Sequence, residues 1–243
     1  MKGTFFIELV QSIALLLVFT FFFEKRRIEI IHSERMLPKV LIGAVVGGIG
    51  IFLMLNPWTY QLGHSLDLRT VLLSISGLFL GAIPTIIATL LICIYRFSMG
   101  GELMVIGLML MASSGLMGIG WRYFQQRKGR INSFLSLYLL GFLTHVLMLF
   151  WLPKEEFLEL IQRMALPVIA LYPFITVLLG MLMNRQLQNW ENEKAKDRFI
   201  ESEQRFARIM QNINMFFFNL DLNGNFTSCN KYMLKSTGYS EKE

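Results

Sequence analysis

A long apolar stretch with an arginine near each end constrains the fold of this chain most strongly. It runs from Asp67 to Gly101 and reads DLRTVLLSISGLFLGAIPTIIATLLICIYRFSMGG. The 26 residues between Arg69 and Arg96 carry no charge. Their midpoint lies in Gly81–Pro84, where glycine and proline interrupt regular structure. A single membrane-spanning helix would place the two arginines on opposite sides of the membrane. A helical hairpin that turns at Gly81–Pro84 would place them at one end.

The composition identifies a membrane protein. Hydrophobic residues make up 54% of the 243 residues, and charged residues only 16%, whereas soluble domains carry about 25% charged residues. The net charge of +6 comes largely from basic residues beside predicted membrane helices. We therefore expect contact with the lipid bilayer and no binding to nucleic acid.

The charges of the loops distinguish the single helix from the hairpin. Five further apolar segments are long enough to span a membrane, namely Thr4–Phe23, Leu37–Leu55, Glu102–Trp121, Ile131–Leu152 and Ile161–Met183. Loops rich in lysine and arginine remain in the cytoplasm. The two basic loops, Glu24–Lys39 and 122–130, lie on the same side of the membrane only if Arg69–Arg96 is a hairpin.

We therefore predict an all-α polytopic membrane helical bundle. It has about seven membrane helices, including the two legs of the short hairpin. The N-terminus lies outside the cell, and the chain from residue 184 onward lies in the cytoplasm. The predicted location is the plasma (inner) membrane of a bacterium.

The candidate ligand-binding residues are Arg69, Arg96, Asp67 and Ser113. A buried arginine costs free energy in a membrane unless it faces water, a partner or a ligand, and two guanidinium groups at one end form a site for a small anion, with a carboxylate as the first candidate. Asp67 could hold Arg69 while the site is empty. Alternatively, the arginines anchor the helices by pairing with Asp67 and lipid phosphates, and Ser113 only packs between helices. For His145 the alternatives are a hydrogen bond within the bundle and a role in binding a ligand.

The composition changes at Asn184, where the apolar segments end. Residues 185–208 are polar and predicted helical, and Phe199 and Phe206 lie seven residues apart. This spacing predicts a helical linker that pairs two chains in a homodimer. Next come a strand at Met215–Leu220, a tight turn, a strand at Asn225–Cys229 and a helix beginning near Asn230.

This tail resembles the start of a PAS domain. The resemblance lies in Glu203, Arg205, Phe206, Ile209, Phe216–Asp221, Gly224, Phe226, Asn230 and Thr237–Ser240. It implies an incomplete α+β PAS domain over residues 201–243, at the front of a longer protein. It does not say which ligand, if any, the PAS domain binds, and no cofactor is evident.

The membrane part resembles the LytS/YhcK-type family of multi-transmembrane sensor domains. The resemblance covers residues 38–184 and lies in Asp67, Arg69, Gly77–Phe79, Gly81, Pro84, Tyr95, Arg96, Gly100 and Gly101. It implies an input region ahead of a histidine kinase, diguanylate cyclase or phosphodiesterase module. No motif of those enzymes, and no other catalytic motif, occurs in the 243 residues. The hairpin also resembles the substrate-binding S components of energy-coupling-factor transporters.

These observations divide the chain into four parts. Residues 1–36 form an N-terminal membrane helix and a basic loop, 37–184 a membrane sensor domain, 185–208 a signalling linker, and 201–243 the start of a PAS domain. The predicted function is the sensory region of a bacterial signal-transduction protein that binds a small anion from outside. The alternatives are a transporter-like substrate-binding protein and a membrane scaffold whose PAS region is the sensor.

Overall fold

The computed structural model of the protein describes residues 2–21, 35–55, 58–60, 64–66, 68–101, 104–128, 133–151 and 171–239. The chain divides into two compact units, Met1–Leu187 and Gln188–Glu243. Asp67, most of the first basic loop and part of the second lie outside the described residues.

The described residues form eight helices and four short strands. In chain order these are α1 (Lys2–Phe21), α2 (Met36–Leu55), β1 (Trp58–Tyr60), β2 (His64–Leu66), α3 (Arg69–Phe79), α4 (Ala82–Met99), α5 (Met104–Lys128), α6 (Ser133–Trp151), α7 (Tyr172–Asn212), β3 (Phe218–Leu220), β4 (Phe226–Cys229) and α8 (Lys231–Thr237). An antiparallel pair of strands, β1 and β2, lies between α2 and α3, with Trp58 opposite Leu66.

The apolar helices of the first unit differ in length. Three are long and apolar enough to cross a membrane within the described residues, namely Met36–Leu55, Ala82–Met99 and Met104–Gln126. Shorter apolar stretches are Val10–Thr20 within α1, Arg69–Phe79, which is the whole of α3, and Phe134–Leu147 within α6. The predicted break is present, because α3 ends at Phe79 and α4 begins at Ala82.

Glycines bring α2 and α4 into close contact. A Cβ atom added at Gly43 would lie 2.7 Å from the carbonyl oxygen of Pro84, and one at Gly47 would lie 3.0 Å from Cβ of Leu91. Residue numbers rise together along the two helices, so α2 and α4 run in the same direction. Helix packing in membranes depends on such small residues, because no water is released when apolar helices meet in lipid.

Helices α3 and α5 also run in the same direction and pack even more closely. A Cβ atom at Gly77 would lie 2.6 Å from the backbone nitrogen of Ile119. One at Gly118 would lie 2.9 Å from Cα of Ser74. The two helices therefore cross backbone to backbone.

A small apolar core joins α3 to the last helices of the unit. Leu78, Leu137, Leu140 and Val177 are buried together, and Phe79, Met117 and Trp121 pack against them. A Cβ atom at Gly141 of α6 would lie 2.8 Å from Cα of Pro173 in α7. One at Gly180 would meet the side chain of Leu137. Since the numbers change in opposite senses, α6 and α7 are antiparallel.

The helix directions define two ends of the first unit. The break at Gly81 and the C-terminal end of α5 lie at one end, which we call the turn end. Arg69 and Arg96 lie toward the other end, which we call the arginine end. The bond from Trp121 Nε1 to Ser136 Oγ joins the end of α5 to the beginning of α6, so α6 begins at the turn end. Helix α7 is antiparallel to α6 and therefore runs toward the turn end.

In the second unit, Asn230 organises the small sheet. Strands β3 and β4 pair antiparallel with an irregularity between Asn219 and Leu220. The buried Asn230 accepts hydrogen bonds from Phe217 N and Met233 N. Its amide nitrogen donates to carbonyls that include Met210 O, 3.0 Å away in α7, and Met215 O at 2.8 Å. Asn230 thus ties the end of α7 to β3 and caps α8.

The turn between β3 and β4 is held by a carboxylate. Asp221 accepts hydrogen bonds from Asn223 N at 2.9 Å and Asn225 N at 2.8 Å. The bonds from Asn225 hold the pKa of Asp221 below its ordinary value. The strands lie within the segments that the sequence predicted, and they are shorter.

Candidate functional site at the arginine end

The break at Gly81 determines where both arginines lie. Gly81 has a φ angle of +88°, a conformation that residues with a Cβ rarely adopt. The backbone nitrogen atoms of Leu80 and Gly81 both donate to Ser76 O, at 2.8 and 3.3 Å. Thr85 Oγ1 then donates to Gly81 O at 2.8 Å. The chain therefore reverses direction within two residues, and α4 runs back beside α3.

Arg69 is the first residue of α3 and is half-buried. Its Nε and Nη1 atoms are shielded from solvent. The guanidinium lies within electrostatic reach of the Cys93 thiol on α4. Cys93 is one helical turn before Arg96, so the beginning of α3 lies beside the last two turns of α4.

Arg96 lies in the last turn of α4 and is also half-buried. Its side chain covers Gly107 of α5, where an added Cβ atom would lie 3.0 Å from Arg96 Nε. Both arginines thus belong to the arginine end, one beside Cys93 and the other over Gly107. The absence of a side chain at Gly107 provides the space that Arg96 occupies.

Ser113 lies on α5, six residues beyond Gly107. In an α-helix this spacing corresponds to about 9 Å along the axis and roughly 120° around it. Its hydroxyl donates to Leu110 O of its own helix at 3.1 Å. The structure therefore brings Arg69 and Arg96 to one end and places Ser113 on another face. Asp67 lies outside the described residues.

His145 is buried where three helices meet. Its exposed fraction is 3%, and its Nδ1 lies 2.6 Å from Gly141 O of its own helix. Its Nε2 lies 3.4 Å from Oγ1 of Thr70, the residue after Arg69. The ring packs against Tyr172 of α7 with 4.4 Å between ring centroids. The hydrogen-bonded histidine that the sequence offered as one of two possibilities is present.

Arg122 has a role that sequence reasoning missed. We assigned it to a basic loop, but α5 continues to Lys128, and Arg122 turns back toward Gly81. Its Nη1 donates to Phe79 O at 3.0 Å and, more weakly, to Leu78 O at 3.5 Å. The guanidinium therefore closes the C-terminal end of α3. This contact joins residues 43 and 44 positions apart, so no local pattern reveals it.

Gly107 was also missed as a neighbour of Arg96. The available signal was the run of small residues Gly107, Ser114 and Gly118 at spacings of seven and four, which places them on one helical face. That face meets α3 and α4 in the structure. The pattern indicates close packing but does not say which residue would pack there.

Comparison with known proteins identifies the membrane unit. The family described as 5TMR of 5TMR-LYT matches residues 21–186. The chain belongs to this family of LytS-type membrane sensor domains. These domains are typical input regions of signalling proteins such as LytS histidine kinases. No curated protein and no solved structure matches the chain. With three candidate spans in the described part of the chain and a family of membrane domains, the protein is a multi-pass membrane protein.

Proposed function

We propose that this LytS-type domain senses a small anionic molecule, most simply a carboxylate, that binds between Arg69 and Arg96. What supports the proposal is that two half-buried arginines lie at the arginine end, Arg69 within electrostatic reach of Cys93 on α4 and Arg96 over Gly107 of α5. Two positive charges in an apolar segment repel each other. An anion between them reverses that repulsion, and each planar guanidinium can donate two parallel hydrogen bonds to a carboxylate.

Thermal stability in the presence of carboxylates tests the proposed anion site. We expect carboxylates such as acetate, lactate or succinate to raise the thermal stability of the protein in lipid nanodiscs, whereas acetamide, a neutral analogue of acetate, does not. Arg69→Ala and Arg96→Ala should each remove most of this stabilisation at the concentration that half-saturates the native protein. A hydrogen bond to a charged group contributes about 1.5–3 kcal/mol, which corresponds to roughly 10- to 150-fold in affinity. Arg→Lys at either position should weaken binding because the fork is lost.

Arg185→Ala is the matched control, since Arg185 is an exposed arginine of α7. It removes the same charge from the chain but leaves the arginine end intact. Stabilisation that survives in both Arg69→Ala and Arg96→Ala would refute the site. A preference for a cationic ligand would do the same.

We also propose that the arginine end faces outside and the turn end faces the cytoplasm. Arg122, Arg127 and Lys128 lie near the turn end of α5, and basic residues remain in the cytoplasm. About seven membrane helices, counting α3 and α4 as hairpin legs, fit this arrangement. The N-terminus then lies outside in the plasma membrane.

Single cysteines test the orientation. Met99 and Gln126 are exposed and lie near opposite ends. We expect Met99→Cys to react with a membrane-impermeant maleimide in intact cells, because it lies at the outer end. Gln126→Cys should react only after permeabilisation. Labelling is measured above that of the parent chain, which contains Cys93 and Cys229. The reverse pattern would overturn the proposed orientation.

The second unit fits the role of a signalling connection. We propose that α7 carries the signal as a linker paired in a homodimer, and that the strands and helix after it begin a PAS domain. What supports this is the order of elements: α7, β3, the Asp221 turn, β4 and a helix capped by Asn230. An output module such as a histidine kinase or diguanylate cyclase would follow in the full-length protein.

A further inference from the structure

His145 contacts both α3, the helix that begins at Arg69, and α7, the proposed signalling helix. It reaches Thr70 in the first turn of α3, and it packs against Tyr172 at the start of α7. Tyr172 is 2% exposed. Thr70 is adjacent to Arg69, and α7 is the helix that runs on past the first unit. His145 therefore lies between the proposed ligand site and the proposed signalling helix.

The hydrogen bonds determine the protonation of the ring. A backbone carbonyl can only accept, so Nδ1 of His145 carries a proton and donates to Gly141 O. In the neutral ring Nε2 is then an acceptor. The Thr70 hydroxyl donates to it across 3.4 Å. The bond to Gly141 fixes the ring on α6, and the bond from Thr70 links the ring to α3.

We propose that His145 is a positioning residue that couples the arginine end of α3 to the start of α7. The proposal rests on the proposed function of the arginine pair. An anion that moves Arg69 also moves Thr70, the next residue of the same helical turn. Because the His145 ring is buried and packed on Tyr172, it cannot follow Thr70 without displacing Tyr172. A change at the ligand site thereby reaches α7.

Two substitutions break the link at different points. Thr70→Val removes the hydroxyl but keeps the shape of the side chain. His145→Phe keeps an aromatic ring for Tyr172 but removes both hydrogen bonds. The matched control is Thr144→Val, because the buried Thr144 hydroxyl donates to Leu140 O of its own helix, at 2.7 Å. All three changes are made in the full chain.

The first measurement needs no ligand. Spin labels at Leu41→Cys and Arg185→Cys, in a chain that carries Cys93→Ser and Cys229→Ser, report the distance between α2 and α7 in nanodiscs. We expect Thr70→Val and His145→Phe to broaden the distance distribution, since α7 loses its link to α3. Thr144→Val should leave it unchanged. Unchanged distributions in both link variants, or equal broadening in the control, would overturn the coupling.

The second measurement adds acetate, lactate or succinate. In the labelled reference chain, a carboxylate that raises the thermal stability should also shift the distance. Thr70→Val and His145→Phe should keep the stabilisation within about threefold in concentration, roughly 0.6 kcal/mol, and lose the shift. A retained shift would overturn the coupling. If no carboxylate stabilises the reference chain, the proposed function fails, while the ligand-free measurement still decides the role of His145.

Discussion

Replacing Gly118 with alanine should largely prevent the first unit from assembling. An added Cβ atom would lie 2.8 Å from the backbone carbon of Ser74 and 2.9 Å from its Cα, and still closer to its carbonyl oxygen. Carbon atoms in favourable contact are about 3.5–4.0 Å apart. Backbone atoms cannot rotate away as a flexible side chain can, so α3 and α5 would have to separate.

The expected loss of stability is large because backbone atoms lie on both sides of the contact between Gly118 and Ser74. Overpacking a core costs about 1–3 kcal/mol and occasionally more, and we expect a value near or above the upper limit. Separation of α3 from α5 would also loosen the apolar cluster around Leu78 of α3, because Met117 and Trp121 of α5 pack against it. The measurement is the fraction of protein that remains monodisperse in detergent after heating, compared with the native chain.

Gly120→Ala is the matched control. Gly120 lies on the same helix two residues further on, and an added Cβ atom there meets no atom within 4 Å. Alanine favours helix over glycine by about 1 kcal/mol, so this variant should be as stable as the native chain or more so. If Gly118→Ala proves as stable as Gly120→Ala, the close crossing of α3 and α5 is wrong.

The break between α3 and α4 could be predicted because its signals are local. Gly81 and Pro84 interrupt the apolar stretch between Arg69 and Arg96. The same holds for the strands of the second unit, which lie on either side of the tight turn at Asp221–Gly224. In each case the residues that determine the structure lie within a few positions of one another, so the sequence displays them directly.

The pairing of helices could not be predicted in this way. Glycines at this spacing allow close packing of α2, but they do not say that Gly43 and Gly47 face α4. Likewise, Thr70 and His145 lie 75 residues apart, and their contact depends on how α3 and α6 pack. Which apolar faces meet depends on the surface shapes of whole helices, and these shapes cannot be read from a single sequence.

Arg122 is the clearest example of a residue whose place could not be predicted, because its charge indicated a loop in water and it lies within α5. Basic residues after an apolar segment usually lie in water, so we assigned Arg122 to a loop. A helix that ends inside an apolar bundle leaves its last carbonyls without partners, and such groups cost several kcal/mol in lipid. The Arg122 guanidinium supplies the missing donor, which explains why a charge is retained within α5.

Replacing Arg122 with leucine should therefore destabilise the turn end. The Phe79 carbonyl loses the donor at 3.0 Å, and the Leu78 carbonyl loses the weaker one at 3.5 Å. A buried acceptor without a partner costs about 1–3 kcal/mol, and two carbonyls are affected. Arg122→Lys should recover part of the loss, because an ammonium can donate to one carbonyl but lacks the planar fork.

Amide hydrogen exchange in nanodiscs measures this effect where it arises. We expect faster exchange at Leu80 and Gly81 in Arg122→Leu, since their bonds to Ser76 O depend on an ordered end of α3. Arg185→Leu is the control, because it removes an exposed arginine from α7 and should leave this exchange unchanged. Native exchange rates in Arg122→Leu would show that the carbonyls find another donor. Faster exchange in Arg122→Leu, partly restored in Arg122→Lys, would establish that a charge on α5 holds the break between α3 and α4 closed.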